Sequence, residues 1–375
     1  MFASRLRRWL RLGAGLLLAT LILLVLVEGL ASLAYFAFRL SDDSQPALAE
    51  RSHTRYDEQL GWVNEPNVTV QNLYGPGIDL HTNGQGFRAT QDFTRKVRPG
   101  QVRVICSGDS FTLGFGVGDG ETWCAQLSAT DPRLETVNMG QGGYGVDQAY
   151  LWYLRDSGVV EHDLHLFAFI YDDFVRMTRD RFLGYGKPVL TLEAGELRVA
   201  NVPVPRKGYR VPWFTQNAEL FDELRSFAAF RRLVRRMSRT DSRAVSLGQA
   251  VDVALAAFAR LAEHHRQRGS TLVLVYLPVE EDYSAGAFDE LRARLASWAA
   301  RNDVAYIDLV EDFRALSPER AARVFIPEGE SAFPDAAGHY SRAGSRVIAE
   351  LLQRRLAQQP SFVERLAQAT GATGE

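Results

Sequence analysis

From Val102 onward, five short apolar runs recur, and the intervals between them hold segments of helix length. They are VRVICSG (102–108), ETVNMG (135–140), LHLFAFIY (164–171), TLVLVYLP (271–278) and VAYIDL (304–309). Runs of this length, with no regular polar alternation, read as strands buried on both faces. Helical periods fill 244–267 and 285–301 between the later runs. Strands that alternate with helices predict an α/β fold in which a parallel sheet is covered on both faces.

The first forty residues follow a different pattern. Arg5, Arg7, Arg8 and Arg11 precede GAGLLLATLILLVLV (13–27), and apolar character resumes after Glu28 as far as Phe38. About 20 apolar residues span a bilayer as a helix, and a flanking arginine cluster stays on the cytoplasmic side. Residues 1–40 are therefore expected to be a cytoplasmic tip and single transmembrane anchor, with the remainder outside the cytoplasm. Glu28 is read near the outer interface. A cleaved signal peptide is the competing form, since small residues (Ala31, Ser32) follow the apolar run, but the run is long and no A-x-A site closes it.

Residues 41–55 are polar, without periodicity, and read as a linker. The Gly, Pro and Asn-rich stretch from Leu60 to Arg88 reads as an irregular lead-in packed on the main domain. An insertion at 175–242 holds KPVLTLEAGELRVANVPVP, a hairpin turning at Glu193-Ala194-Gly195. It also holds the arginine-rich segment 221–239, either a membrane-surface helix or, as expected here, a basic solvated face capping the core. Residues 361–375 read as a tail. At 375 residues with net charge −2, the chain can bury a large core and shows no electrostatic footprint for nucleic acid. Cys106 and Cys124 could pair in an oxidising compartment, but two separate buried thiols are the expectation.

In open α/β sheets ligands bind beyond the carboxyl ends of the strands. Four polar segments deserve inspection on that ground: Gly108-Asp109-Ser110, NMGQGGYG (138–145), YDDF (171–174) and FPDAAGHYSRAG (333–344). A turn serine can simply cap a helix. To be a nucleophile it needs a base, and His339 is the candidate, with Asp335 upstream to orient it. No His or Cys cluster has metal-ligand spacing and GQGGYG lacks the dinucleotide fingerprint, so neither a metal nor a cofactor is expected. His264 and His265, on a helical period, read as solvated.

Taken in order, these segments resemble the SGNH or GDSL hydrolases over roughly residues 55–355, and within them a membrane-anchored bacterial subgroup with a TNGQGFR-type lead-in. The resemblance implies a flavodoxin-like three-layer sandwich over 56–360. It implies Ser110 as nucleophile, His339 as base, Asp335 as its partner, and an oxyanion hole made of the Ser110 N–H, Gly143 and the residue at Asp172. Two departures stand out. Asp172 occupies a position where the family has asparagine, and Asp335 lies four residues before His339 where the family has three. The implied activity is serine-dependent hydrolysis of a small ester or acylated glycan outside the cytoplasm. O-acyl transfer or deacetylation on a cell-envelope polysaccharide, or a non-catalytic binding or assembly role, are the alternatives.

Overall fold

The computed structural model describes residues 2–41, 53–183, 185–205, 246–284, 286 and 288–371. The chain divides into two units, 1–47 with 210–242, and 48–209 with 243–375. In the first, helix α1 (Phe2–Ser41) contains the stretch Trp9–Ala34, long and apolar enough to cross a membrane. The arginine-rich segment 221–239 lies outside the described residues.

The second unit opens with two small antiparallel pairs, β1 (Thr54–Asp57) with β2 (Gly61–Asn64) and β3 (Val68–Val70) with β4 (Leu80–Thr82). Thus β1 begins inside the stretch expected as linker. Then come β5 (Val102–Gly108), α2 (Ser110–Leu113), α3 (Trp123–Thr130), β6 (Leu134–Gly140), α4 (Val146–Asp156), β7 (Leu164–Phe169) and α5 (Tyr171–Arg176). The insertion supplies β8 (Arg181–Phe182), β9 (Tyr185–Gly186), β10 (Val189–Glu193) and β11 (Glu196–Ala200). The chain continues through α6 (Leu247–Arg268), β12 (Thr271–Tyr276), α7 (Asp289–Arg301), β13 (Ala305–Asp308), α8 (Val310–Arg314) and α9 (Pro318–Ala321). It closes with α10 (Arg342–Leu356) and α11 (Pro360–Gly371).

Five strands form one sheet in the order β13-β12-β7-β5-β6, every pair parallel. Successive side chains leave a strand on opposite faces, and two cores follow. Ile105, Phe167 and Leu274 pack with α4, α6 and α7 on one face. Val104, Leu166 and Val273 pack with α3, α10 and α11 on the other. The three-layer α/β sandwich expected from the alternating runs is therefore present.

Three readings of the sequence need correction. Cys106 on β5 and Cys124 on α3 form a disulfide, because both face the second core on neighbouring elements. Residues 361–375 are not a tail as far as Gly371, since Phe362, Leu366 and Ala369 recur at helical spacing and are buried against that core. His265 is buried at 1 % exposure rather than solvated, because α6 turns it toward the sheet with Leu261 and Phe258.

In the insertion, β10 and β11 pair with Glu193 opposite Glu196, leaving a two-residue turn of Ala194 and Gly195, both at positive φ as a tight hairpin requires. Just before it, Lys187 is fully buried in an ion pair with Asp147 of α4 and donates to the Pro188 carbonyl. Its burial is tolerable only because the charge is paired, and the pair ties the insertion to the helix that follows Gly143.

Candidate active site

Strand β5 ends at Gly108 and the chain turns at once into the short helix α2. Asp109 is its N-cap, Oδ1 accepting the Phe111 N–H at 2.9 Å. With that role filled by Asp109, the Ser110 hydroxyl has another partner: its Oγ lies 2.7 Å from Nε2 of His339. The neighbouring strand presses closely on this corner. A Cβ at Gly140 would stand 2.1 Å from the Leu113 nitrogen, so only glycine fits there. Asn138 Nδ2 donates to the Thr112 carbonyl at 2.8 Å.

The carbonyls at the end of α2 have no partners within so short a helix, and the lead-in supplies one. Arg88, buried, donates from Nη1 to the carbonyls of Leu113 (2.5 Å) and Gly114 (2.6 Å) and from Nη2 to that of Val117 (2.5 Å). Its Nε pairs with Asp119 at 2.8 Å.

His339 comes from the loop before α10. An isolated antiparallel bridge of Phe325 with Tyr340 holds this loop, and the Ile326 N–H donates to the His339 carbonyl at 2.8 Å. The imidazole is flanked by the rings of Phe111 and Phe115, with centroids at 4.6 and 5.2 Å. Burial, more than any other influence, holds its pKa below the ordinary histidine value; Asp109 opposes that shift and Arg176 adds to it. A ring kept neutral near pH 7 can accept a proton.

The other nitrogen, Nδ1, is buried and meets no acceptor at hydrogen-bond geometry, although the Ala337 and Ala336 carbonyls lie near enough to favour the imidazolium. Asp335 is exposed on a 3-10 turn, Pro334–Ala336. The fold thus brings Ser110 and His339 together and does not bring the Asp335 carboxylate onto Nδ1. The physical reason is local: the turn that carries the four-residue spacing directs residue 335 outward.

Gly143 sits in the loop between β6 and α4 at φ +75°, a conformation that favours glycine. Asp172 is exposed in the first turn of α5. A carboxylate, unlike an amide, has no N–H to offer an oxyanion. Its neighbour Asp173 is buried, and Oδ2 accepts the Ile170 N–H at 3.1 Å. Burial first, and then the charge of Asp109, push the Asp173 pKa well above the usual carboxylate range, against the pull of Arg176.

Arg176 is the residue that the sequence reading missed. Its Nη1 donates to Asp109 Oδ2 and to the Tyr144 carbonyl, both at 3.0 Å, and to Asp173. One guanidinium therefore links the segments of Ser110, Gly143 and Asp172. The only local signal was the three-residue spacing from Asp173 on one helix.

No family model matches the chain, and no curated protein matches it. Solved structures with similar folds include a member of the lipolytic protein G-D-S-L family from Veillonella parvula, at 13% identity and TM-score 0.39 over 69% of this chain and 100% of that one. The lipase/acylhydrolase from Enterococcus faecalis is similar at 9% identity and TM-score 0.40, covering 69% and 96%. An acetylxylan esterase from Geobacillus stearothermophilus is similar at 14% identity and TM-score 0.38, covering 70% and 96%. At these values they are likenesses only, and what the site does is read from the residues of this chain.

Proposed function

We propose that the protein is a serine-dependent hydrolase of ester bonds, with Ser110 as nucleophile and His339 as base. The observation that carries this reading is the 2.7 Å contact of Ser110 Oγ with His339 Nε2 at the carboxyl edge of a parallel sheet. In the first step Oγ attacks the ester carbonyl carbon as Nε2 takes the hydroxyl proton. The carbonyl oxygen becomes an oxyanion and receives the backbone N–H groups of Ser110 and Gly143. Collapse of this intermediate expels the alcohol, which takes the proton from Nε2 and leaves an acyl-serine. Water, deprotonated by the same nitrogen, then releases the acid and restores the serine.

Asp335 would orient the imidazole in a triad. The unbonded Nδ1 favours a dyad, with the flanking phenylalanines fixing the ring. Asp172 leaves the hole without the amide of the family pattern, and removing one such donor costs about 3 kcal/mol in the barrier.

Two features support an extracytoplasmic, membrane-anchored enzyme: the apolar helix Trp9–Ala34 and the disulfide, since disulfides persist in oxidising compartments. A small ester or an acylated glycan suits such a location. The test is labelling of the full-length chain in detergent with a fluorophosphonate probe. Wild type is expected to label and Ser110→Ala is not. Equal labelling of both would remove the nucleophile assignment, and absence of both labelling and turnover would favour a binding or assembly role.

A further inference from the structure

The sequence Gly142-Gly143 creates a problem for any enzyme that relies on the Gly143 N–H. A peptide unit is planar and trans, so the Gly142 carbonyl and the Gly143 N–H point in opposite directions and turn together. With no Cβ on either residue, the plane between them can rotate at little steric cost. A flip would aim a carbonyl oxygen, not an N–H, at the developing negative charge.

Resting on the reading of Gly143 as an oxyanion donor, we propose that Trp62 of β2 is a positioning residue that locks this peptide in its productive orientation. Its indole Nε1 donates to the Gly142 carbonyl at 2.8 Å in a fully buried setting. A flip would leave that buried N–H without a partner, which is strongly disfavoured. The same bond polarises the peptide and makes the Gly143 N–H a better donor.

The clamp acts from both sides of Gly143. The Tyr144 hydroxyl donates back to the Trp62 carbonyl at 2.5 Å, and Arg176 holds the Tyr144 carbonyl at 3.0 Å. The Trp62 ring is itself packed edge-on to Tyr144 and stacked with Phe182. In chain order Trp62 lies some 80 residues before the loop that it holds, so the lead-in belongs to the catalytic unit and is more than a covering.

The experiment compares full-length wild type with Trp62→Phe, which keeps an aromatic ring and deletes the N–H. The expected result is a kcat for p-nitrophenyl acetate lower by about 10- to 100-fold, with KM changed less than about threefold. The acid limb of the pH profile should stay near its wild-type position, while the melting temperature should fall, since the smaller ring leaves a cavity and an unpaired buried carbonyl. Affinity for an alkyl boronic acid, which forms a tetrahedral anion on the serine, should fall by the same factor as kcat/KM. Binding of an uncharged amide analogue of the substrate should not change, and a merely structural role would weaken both ligands alike.

A folded Trp62→Phe enzyme with unchanged kcat, or with parallel losses for both ligands, overturns the proposal. Should that variant not fold, Tyr144→Phe carries the test through a smaller loss in kcat at constant KM, and an unchanged kcat again overturns it. A wild type without Ser110-dependent turnover overturns the catalytic reading together with this one. An active wild type matched by Trp62→Phe overturns this one alone.

Discussion

Strand β5 delivers two serines, three residues apart, and each meets a histidine. Ser110 contacts His339 at 2.7 Å, and Ser107 contacts His165 at 2.6 Å. The distances are alike and the settings are not. Ser107 and His165 lie inside the sheet at 1 % and 0 % exposure. The His165 ring is stacked on Tyr153 at 3.8 Å, and its Nδ1 contacts His265, which in turn contacts Ser270. Every ring nitrogen in that chain is occupied, and no substrate could approach. Ser110, at 4 % exposure, stands just beyond the strand at the carboxyl edge of the sheet, and its contact with His339 is only part-buried. The comparison teaches that a serine–histidine bond marks a nucleophile only where a carbonyl can reach it and its charge can be received.

The largest effect should separate the two serines. Ser110→Ala is expected to abolish fluorophosphonate labelling and to lower ester turnover by at least about 10³-fold. Ser107→Ala should leave turnover within about threefold and lower stability by about 1 kcal/mol, measured by urea denaturation. Equal effects on turnover would erase the distinction.

Next in size is Arg176→Gln. It removes the cation that holds Asp109 and the Tyr144 carbonyl, and kcat/KM should fall about tenfold or more. Arg176 also depresses the His339 pKa, whereas Asp109 raises it. The base must be neutral to act, so wild-type activity should rise with pH along a limb centred below 6.5. In the variant that limb should move upward. A limb that stays in place would mean that Arg176 and His339 are not coupled.

A third test addresses the buried pair. Burial before all else holds His165 well below the ordinary value, His162 at about 4 and His265 at about 3. Unfolded histidines titrate near 6.5, so the unfolded chain takes up protons first as pH falls. The stability contributed by these neutral rings is whole above pH 6.5, and is lost as pH falls through that value toward about 4 and then about 3. The urea midpoint should therefore drop between pH 7.5 and 5, and His265→Gln should flatten the dependence. A midpoint independent of pH would contradict the buried neutral cluster.

The smallest effect is expected from Asp335→Asn, with kcat/KM within about threefold of wild type if a dyad operates. A loss near 10⁴-fold, as for a triad with the wrong histidine tautomer, would restore Asp335 to the imidazole.

The five strands were legible because a parallel strand buried on both faces leaves a continuous apolar run, and each run here recurs as one. The meeting of Ser110 with His339 was legible because each lies in a short polar segment that follows a strand or precedes a helix, whereas Gly143 was marked by the family resemblance alone. Contacts between distant parts of the chain were not. Nothing near residue 265 announces that His165 lies against it, and nothing in the lead-in announces that Trp62 reaches Gly142. The disulfide escaped for the same reason, since pairing depends on where α3 lies on the sheet. Phe362, Leu366 and Ala369 did carry a helical spacing, but the polar residues between them hid it. Spacing placed Asp335 near His339 in the chain but could not tell that its side chain would be exposed rather than on Nδ1.

The Cys106–Cys124 bond closes a covalent ring around the corner from Gly108 to Phe115, and both sulfurs are wholly buried. Closing a loop of about this size removes conformational freedom from the unfolded chain worth about 3 kcal/mol. A chain retained among reducing thiols would carry the same serine and histidine on a looser frame. Once the domain has closed over the bond, an external reductant reaches it only through unfolding. The state of these two sulfurs in a mature molecule is thus a record of the compartment in which its chain was assembled.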